Sequence, residues 1–251
     1  MQLIVKKYFA RCREQGFAAT TLHACKSILR RGLYVLEDHM VGRAIAAETK
    51  DHVAIADMGV IESRNTALAN EYGPTPTPML VMWLIRKIVP KDRSAWTFID
   101  VGAGKGRIVI AAASQGFRCA TGIEFAGELC AQANRYFADL GLADGSGRVR
   151  VDQADATEFN IPPGPCLFYL YNPFREEILR RFITHVLISY ANEPRALRFV
   201  YLNPVHKCAF AAQPELIEAA LPPAFAAIFG IFSPYSVCVF ETVTSNALDR
   251  N

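Results

Sequence analysis

The segment 98–107 combines an acid with three glycines in a pattern that could bind a small ligand. Asp100 ends an apolar run, Gly102, Gly104 and Gly106 follow at alternate positions, and a second apolar run begins at once. Because glycine has no Cβ, such a turn can adopt positive φ and let a ligand approach the backbone closely. The first N–H groups of a helix that starts there are unpaired and can donate to the ligand. A carboxylate beside these donors suits a ligand that carries a cationic amine.

The spacing of these glycines separates two classes of cofactor. In the dinucleotide-binding fingerprint G-x-G-x-x-G the third glycine comes three positions after the second. Here Gly106 comes two positions after Gly104, and Arg107 occupies the next position. Acid-x-Gly-x-Gly-x-Gly at a strand end resembles the first motif of class I S-adenosylmethionine-dependent methyltransferases. The resemblance implies S-adenosylmethionine as cofactor, with S-adenosylhomocysteine as product, bound by Asp100, Gly102, Ala103, Gly104 and Gly106.

The next two predicted strands end in acids that suit the nucleoside part of the same cofactor. Glu124 ends the second strand, where a carboxylate can accept both ribose hydroxyls; the alternative is an acid favoured near a helix N-terminus. Phe125 would cover one face of the adenine, or serve as a core aromatic. After the third strand, the resemblance implies an acid that accepts the adenine amine. Asp155, directly before Ala156, fits best, with Asp152 as second choice and a solvated turn as the alternative.

The fourth predicted strand ends in a motif that could hold the methyl acceptor. Proline stops the strand at Asn172-Pro173-Phe174 and turns the asparagine outward. The motif resembles the Asn/Asp-Pro-Pro-aromatic motif of amino-group methyltransferases, although it has one proline where that motif has two. The resemblance implies that Asn172 binds the cofactor and the target nitrogen, and that Asn172, Pro173 and Phe174 are catalytic. There the aromatic ring supports the developing cation through its π face. A turn with a core phenylalanine is the alternative.

A proline-rich loop at 71–78 narrows the resemblance to lysine methylation. The sequence Tyr72-Gly-Pro-Thr75-Pro-Thr77, followed by an apolar helix and the acid-glycine strand, resembles two groups of protein-lysine methyltransferases. These are the non-SET histone-lysine enzymes and the enzymes that methylate the ATP synthase c-subunit. The resemblance covers about 71–175 and implies that Tyr72 and Thr75 contact the cofactor. If the loop merely caps a helix, Thr77 is the better N-cap candidate.

The function predicted from these motifs is S-adenosylmethionine-dependent methylation of an amine, with protein lysine favoured. Three alternatives stay open. A small-molecule methyltransferase would share every cofactor residue and differ only in its acceptor pocket. A nicotinamide-dependent oxidoreductase is disfavoured by the glycine spacing, and a module that binds the cofactor without catalysis remains compatible with the single proline of the fourth-strand motif.

Strand and helix patterns alternate along the chain, which predicts a parallel sheet with helices on both faces. Strands are predicted at 97–101, 118–124, 148–151, 166–172, 197–203, 224–232 and 235–243, and helices at 79–89, 106–115, 126–140, 175–190 and 214–220. The last two strands, joined by Ser233-Pro-Tyr, suggest an antiparallel hairpin. The predicted fold is α/β: a Rossmann-like doubly wound seven-stranded sheet with an antiparallel C-terminal hairpin, as class I methyltransferases have, and an N-terminal helical appendage. We expect residues 1–70 to form the helical segment and 71–251 the S-adenosylmethionine-binding domain.

Composition indicates a globular protein, with 51% apolar and 20% charged residues among 251. Seven cysteines without a C-x-x-C pair indicate reduced thiols, the histidines show no metal-ligand spacing, and no segment predicts a signal peptide or a membrane span. We therefore expect a cytoplasmic protein without a bound metal. Residues 1–50 contain nine Lys and Arg against four acids, within a net charge of +3 for the chain. A solvated helical face accounts for this excess most simply; an acidic partner or contact with an anionic membrane surface remains an alternative, and nucleic acid is not favoured as a partner.

Overall fold

The computed structural model of the protein describes residues 16–41, 78–143 and 145–243. Its helices are α1 (Phe17–Val41), α2 (Pro78–Ile88), α3 (Arg107–Ala113), α4 (Gly127–Asp139), α5 (Glu176–Asn192), α6 (Cys208–Ala211) and α7 (Pro223–Phe232). Its strands are β1 (Thr97–Val101), β2 (Cys119–Glu124), β3 (Val149–Gln153), β4 (Cys166–Tyr171), β5 (Leu197–Leu202), β6 (Leu216–Glu218) and β7 (Val237–Thr242). From β1 to β5 the elements follow the predicted order, with boundaries within about two residues of those predicted.

The strands form one mixed sheet in the order β3-β2-β1-β4-β5-β7-β6. Strands β1 to β5 are parallel, β7 is antiparallel to β5, and β6 is antiparallel to β7. This is a Rossmann-like doubly wound sheet with an antiparallel C-terminal strand pair, which confirms the predicted fold class. The strand order reverses between β1 and β4. Their carboxyl ends therefore border the crevice in which ligands of such sheets bind.

The sheet separates two apolar cores, and alternation along β1 assigns its side chains to them. Phe98 belongs to the core formed with α2, α3, α4 and α7, here called the α2 face. Ile99 and Val101 belong to the core formed with α5 and α6, here called the α5 face. Because successive side chains of a strand point to opposite sides, Asp100 lies on the α2 face with Phe98. Its register neighbours are Gly122 of β2 and Tyr169 of β4.

The C-terminal elements differ from the predicted ones. Residues 216–218, inside the segment predicted as a helix, form β6, whereas residues 223–232, predicted as a strand, form helix α7. The run Pro223–Phe232 contains no polar side chain, so periodicity cannot distinguish a helix from a strand there. Proline at the first helical position favours the helix. Strand β7 confirms the predicted strand at 235–243, but its antiparallel partner β6 lies before α7 and not directly before Ser233.

Helix α1 lies within the segment 1–70 that was predicted to be helical, and it packs against α7. Residues 1–15 and 42–77 lie outside the described residues, and with them the expected boundary near residue 70. Within the described ranges no helix is long and apolar enough to cross a membrane.

Candidate cofactor and acceptor site

The turn after β1 has the backbone conformation that its glycines predict. Gly102, Gly104 and Gly106 have φ values of 77°, 51° and 74°. These values lie in the left-handed region that glycine enters without steric cost. The N–H groups of Gly102 and Ala103 donate to the carbonyl of Ile123 over 2.9 and 3.0 Å. These two backbone hydrogen bonds join the turn to the end of β2.

Two close contacts explain why glycine occupies positions 102 and 122, in the turn and in the strand beside it. A Cβ on Gly102 would lie 2.8 Å from the Cβ of Pro173, at the end of β4. A Cβ on Gly122, inside β2, would lie 2.4 Å from the Cβ of Ala103. The structure thus brings the predicted residues Gly102 and Pro173 into contact. Gly122 is a site-forming residue that sequence analysis missed, although a glycine within a strand signals a close backbone approach.

Substitution of Gly106 by alanine should destabilise the protein much more than substitution of Gly116. Both glycines have positive φ, 74° and 80°, so alanine strains the backbone at either position by about 1–2 kcal/mol. At Gly106 the new Cβ would also lie 2.6 Å from Cζ of Phe137 on α4, whereas at Gly116 nothing lies within 4 Å. We expect the overpacking to add about 1–3 kcal/mol at Gly106, measured by urea unfolding. Equal losses in the two variants would contradict the packing of this turn against α4.

Asp100 is a buried carboxylate that accepts no hydrogen bond from the described part of the chain. The residue is 4% exposed, and among the described residues none donates a hydrogen bond to its side chain. Burial raises the pKa of Asp100 well above its usual value of 3.8, and the nearby carboxylate of Glu124 raises it further. Burying a carboxylate charge costs free energy unless an opposite charge or a hydrogen-bond donor compensates it. A cationic group of a ligand would therefore stabilise the ionised form of Asp100.

Glu124 is equally buried but is held by the backbone. Its Oε2 accepts the N–H of Gly104 over 2.8 Å, and its Oε1 accepts the N–H of Ala126 over 3.0 Å. Burial raises the pKa of Glu124, while the hydrogen bonds from backbone N–H groups act in the opposite direction. A carboxylate offers about four lone-pair sites, so both oxygens retain acceptor capacity. Glu124 therefore fixes the glycine turn to the start of α4 in addition to its predicted contact with ribose.

The residues predicted to contact adenine lie at the ends of β2 and β3 but have other partners in the structure. Oδ1 of Asp155 accepts both the N–H and the hydroxyl of Thr157, each over 2.8 Å, which is the geometry of a local turn. Asp152 is exposed and pairs with Arg150 over 2.9 Å. Phe125 is half-buried, and Ala156 is buried in the core of the α5 face. The turn interpretation of Asp155 thus has direct support, and Asp152 is engaged at the surface.

The backbone of Asn172 adopts a strained conformation, and its side chain is held by a hydrogen bond. Its φ is 42°, a left-handed conformation that residues other than glycine rarely adopt and that clusters at functional sites. The hydroxyl of Tyr201 donates to its Oδ1 over 3.0 Å. The end of β5 repeats the pattern, since Asn203 also precedes a proline and has φ of 52°. Tyr201 orients the Asn172 amide, a role that sequence analysis did not find.

The structure does not place Phe174 where its predicted role requires it. The ring is buried on the α5 face, with its centroid 6.5 Å from that of Phe182, whereas Asp100 lies on the α2 face. Tyr171 and Tyr235 pack instead against the α2-face core, with ring centroids 5.4 Å apart, and both are half-buried. Both tyrosines therefore pack on the side of the sheet that carries Asp100, whereas Phe174 packs on the other side. Sequence analysis missed both because neither belongs to the recognised motif.

The loop residues Tyr72, Thr75 and Thr77 lie outside the described residues, and the description resumes at Pro78, the first residue of α2. Lys105 and Arg107, in and after the glycine turn, are 5% and 4% exposed, and both have interaction partners. Neither contributes to the raised pKa of Asp100, whose causes are burial and Glu124.

A cavity of about 500 Å³ lies elsewhere, between α1, α2 and α3. Its walls include Leu33, Trp83, Ile110 and Gln115, and none of the predicted site residues lines it. It is mainly apolar and carries no group suited to methyl transfer, so it is not the candidate site.

The residues at the β1–β4 crevice fit S-adenosylmethionine in two respects. The carboxylate of Asp100, which accepts no hydrogen bond from the described residues, matches the cationic amine of its amino-acid part, and the turn at 102–106 presents three glycines in the left-handed region, so that no side chain projects from these positions. Two raised carboxyl pKa values in one crevice also favour a cationic ligand, which would stabilise both ionised forms.

No family model matches the chain, and no curated protein matches it. Solved structures similar in fold include a ribosomal protein L11 methylase from Lactobacillus delbrueckii subsp. bulgaricus, at 19% identity and a TM-score of 0.46, covering 70% of this chain and 82% of that one. TrmN from Thermus thermophilus is similar at 19% identity and a TM-score of 0.46, over 66% of this chain and 49% of that one, so the chain spans about half of TrmN. Magnesium protoporphyrin IX methyltransferase from Synechocystis, with bound SAM, is similar at 13% identity and a TM-score of 0.42, covering 65% of this chain and 74% of that one. Each of these likenesses concerns the fold.

Proposed function

We propose that the protein is an S-adenosylmethionine-dependent methyltransferase that acts on an amine, with protein lysine as the favoured acceptor. In this proposal residues 71–251 form the methyltransferase domain, residues 1–70 form an N-terminal helical segment, and Tyr72 and Thr75 complete the cofactor site. The observation that carries the proposal is the buried carboxylate of Asp100, which has no donor in the described chain and lies beside a turn without side chains.

The cofactor residues divide into two groups by the part of the ligand they suit. Asp100 would pair with the amine of the amino-acid part, beside the backbone of Gly102 to Gly106. Glu124 would accept hydroxyls of the ribose with the lone pairs that its two backbone hydrogen bonds leave available. Phe125 and Asp155, the latter through acceptor capacity beyond Thr157, remain the candidates for adenine.

When bound, S-adenosylmethionine supplies an electrophilic methyl group that a neutral amine can accept, leaving S-adenosylhomocysteine and one released proton. The protein contributes position and exclusion of water, which can be worth about 7–11 kcal/mol of the barrier. Asn172 would accept from the target nitrogen, since Tyr201 fixes its amide. The faces of Tyr171 and Tyr235 would favour the methylated cation. Burial against these rings would lower the pKa of a lysine amine and favour its neutral form.

Electrostatics distinguish this proposal from a nicotinamide-dependent oxidoreductase. A pyrophosphate bound at the glycine turn would bring negative charge toward Asp100 and Glu124, both buried. Like charges at close range are unfavourable in a poorly solvated crevice. The cationic cofactor avoids this repulsion. A small-molecule methyltransferase shares the cofactor residues, so only the acceptor separates it from the protein-lysine proposal.

A methyl-transfer assay tests the proposal and identifies the acceptor class. The native chain, incubated with methyl-labelled S-adenosylmethionine and a cell extract, should label protein, and hydrolysis should yield methylated lysine. Asn172→Ala should lower the rate about 100-fold, because the acceptor amine loses its positioning. Asn203→Ala is the matched control, since it removes an asparagine of similar φ before a proline and should retain most of the activity. Label confined to small molecules would reject the lysine acceptor, and no label in any fraction would count against catalysis.

A further inference from the structure

The cavity between α1, α2 and α3 has an apolar interior. Its lining includes Leu33 of α1, Met82 and Trp83 of α2 and Ile110 of α3, all of them buried or half-buried. The volume of about 500 Å³ lies within the range of about 300–1,000 Å³ that small-molecule sites occupy. Water in a cavity needs about two to four polar partners, which these side chains do not offer. The interior therefore suits an apolar ligand.

Free space of this size is unfavourable in a protein interior. The atoms that line it lose van der Waals contacts on one side, whereas the rest of the core is close-packed. Met79 and Met82 line the cavity with flexible thioether side chains, which adapt to the shape of an aliphatic chain. Ala111 of α3 contributes only a methyl group to the opposite wall. A ligand that fills this space would restore the missing contacts.

The polar residues of the lining form one hydrogen-bonded group. Nε of Arg86 donates to Oε1 of Gln115 over 2.7 Å, and Nε2 of Gln115 donates to Oγ of Ser114 over 3.1 Å. Arg86 and Ser114 are exposed, whereas the apolar lining residues are buried or half-buried. The polar group therefore lies at the mouth of the cavity, and the apolar residues form its interior.

Arg86 gives this mouth a positive charge. It is the charged residue among the described residues that line the cavity, and within the described ranges no acid forms an ion pair with it. Gln115 occupies Nε of Arg86, so the two terminal nitrogens can still donate to an anion. Burial lowers the pKa of Arg93, and the nearby charge of Arg86 lowers it further. An anion bound to Arg86 would relieve the repulsion between these two guanidinium groups.

We propose that the cavity binds a straight-chain aliphatic carboxylate, with its alkyl chain between α1, α2 and α3 and its carboxylate on Arg86. The two oxygens of a carboxylate match two N–H groups of a guanidinium. A neutral chain would leave the charge of Arg86 uncompensated, and Arg86 and Arg93 would repel a cationic one. The proposal is independent of the proposed methyl transfer, because none of the described residues of the cofactor and acceptor site lines this cavity.

The fluorescence of Trp83 can report this binding. The chain has two tryptophans: Trp83 lines the cavity, whereas Trp96 lies in the core and is 5% exposed. Dodecanoate, added to the full chain below its micelle concentration, should change the emission and bind in the micromolar range. Titration calorimetry should give the same affinity and a stoichiometry near one. Trp83→Phe should remove the change in emission while the heat of binding persists.

Two variants separate the charge of the mouth from the volume of the interior. Arg86→Gln should bind dodecanoate at least about tenfold more weakly, and the native protein should bind dodecanol about as weakly as the variant binds dodecanoate. Lys87→Gln is the matched control, since Lys87 is an exposed cation in the same last turn of α2 that does not line the cavity. Ala111→Leu should weaken binding by filling part of the space. Thermal unfolding by circular dichroism verifies that each variant is folded.

Three outcomes would overturn the proposal. Absence of both heat and fluorescence change with dodecanoate would show that the cavity does not take this ligand. Equal affinities of Arg86→Gln and the native protein, or equal affinities for dodecanol and dodecanoate, would show that the mouth does not select a carboxylate. Unchanged binding by folded Ala111→Leu would place the ligand outside the cavity.

Discussion

The Asp100→Asn variant should be more stable than the native protein and should fail to bind S-adenosylhomocysteine. In the free protein the carboxylate of Asp100 is buried, accepts no hydrogen bond from any residue that the structure describes, and lies near the charge of Glu124. An amide of the same shape removes the charge from this environment. We expect a gain of about 1–3 kcal/mol at neutral pH, and a melting temperature higher by roughly 2–4 °C for each kcal/mol. The variant cannot pair with the amine of the ligand, so stability and binding should change in opposite senses.

The gain in stability should depend on pH in a defined direction. Because burial raises the pKa of Asp100 above its unfolded value near 3.8, the folded state holds this proton more strongly than the unfolded chain does. Stability is therefore lost as the pH rises from 3.8 through the raised pKa. The advantage of Asp100→Asn should accordingly shrink as the pH is lowered from about 8 toward about 5. Urea unfolding of the variant and the native protein at several pH values measures this difference in the free energy of unfolding.

Asp152→Asn is the matched control for this substitution. Asp152 is exposed and pairs with Arg150 at the surface, so the variant should change stability by less than about 1 kcal/mol and leave ligand binding intact. If Asp100→Asn were no more stable than the native protein at any pH, the carboxylate would have a partner in solution, and the basis for a cationic ligand would be lost.

The Glu124→Ala variant should change stability in the opposite direction. Glu124 is as buried as Asp100, but its oxygens satisfy the N–H groups of Gly104 and Ala126. Alanine would leave both donors without a partner, each at about 1–3 kcal/mol. Relief of the repulsion with Asp100 offsets part of this loss, so we expect a net destabilisation of about 2–4 kcal/mol by urea unfolding.

Glu124→Gln separates the hydrogen bonds from the charge. The glutamine oxygen can accept one of the two N–H groups, while its amide opposes the other donor, so its stability should lie between those of the native protein and Glu124→Ala. Glu124→Ala with native stability would show that the hydrogen bonds to the glycine turn do not hold it in place.

The sequence predicted the elements whose local signals agree with the tertiary structure. Strand β1 was predicted at its observed boundaries because an apolar run ends in an acid and a glycine turn. Helix α7 was mistaken for a strand because its ten residues are all apolar, so that periodicity does not distinguish the two structures. The proline at its start and its packing against α1 and Trp83 of α2 favour the helix. Strand β6 has three residues, and β7 provides its pairing. Such a strand has almost no local signal.

The sequence predicted the parts of the site that depend on backbone conformation better than the parts that depend on the direction of side chains. Positive φ at Gly102, Gly104 and Gly106 follows from the glycines themselves. The direction of a ring does not follow from a motif, so the sequence did not show that Phe174 packs in the α5-face core while Tyr171 and Tyr235 pack on the α2 face. Nor does a sequence show that Tyr201, on a neighbouring strand, donates to Asn172.

The most direct test of the central claim is calorimetric titration of S-adenosylhomocysteine into the native protein and into Asp100→Asn, in two buffers of different ionisation enthalpy. The native protein should bind in the micromolar range, at about −7 to −8 kcal/mol, and release protons below the raised pKa of Asp100, whereas the variant should show no binding. Equal affinities of the two proteins, or binding of NAD⁺ in place of S-adenosylhomocysteine, would contradict it.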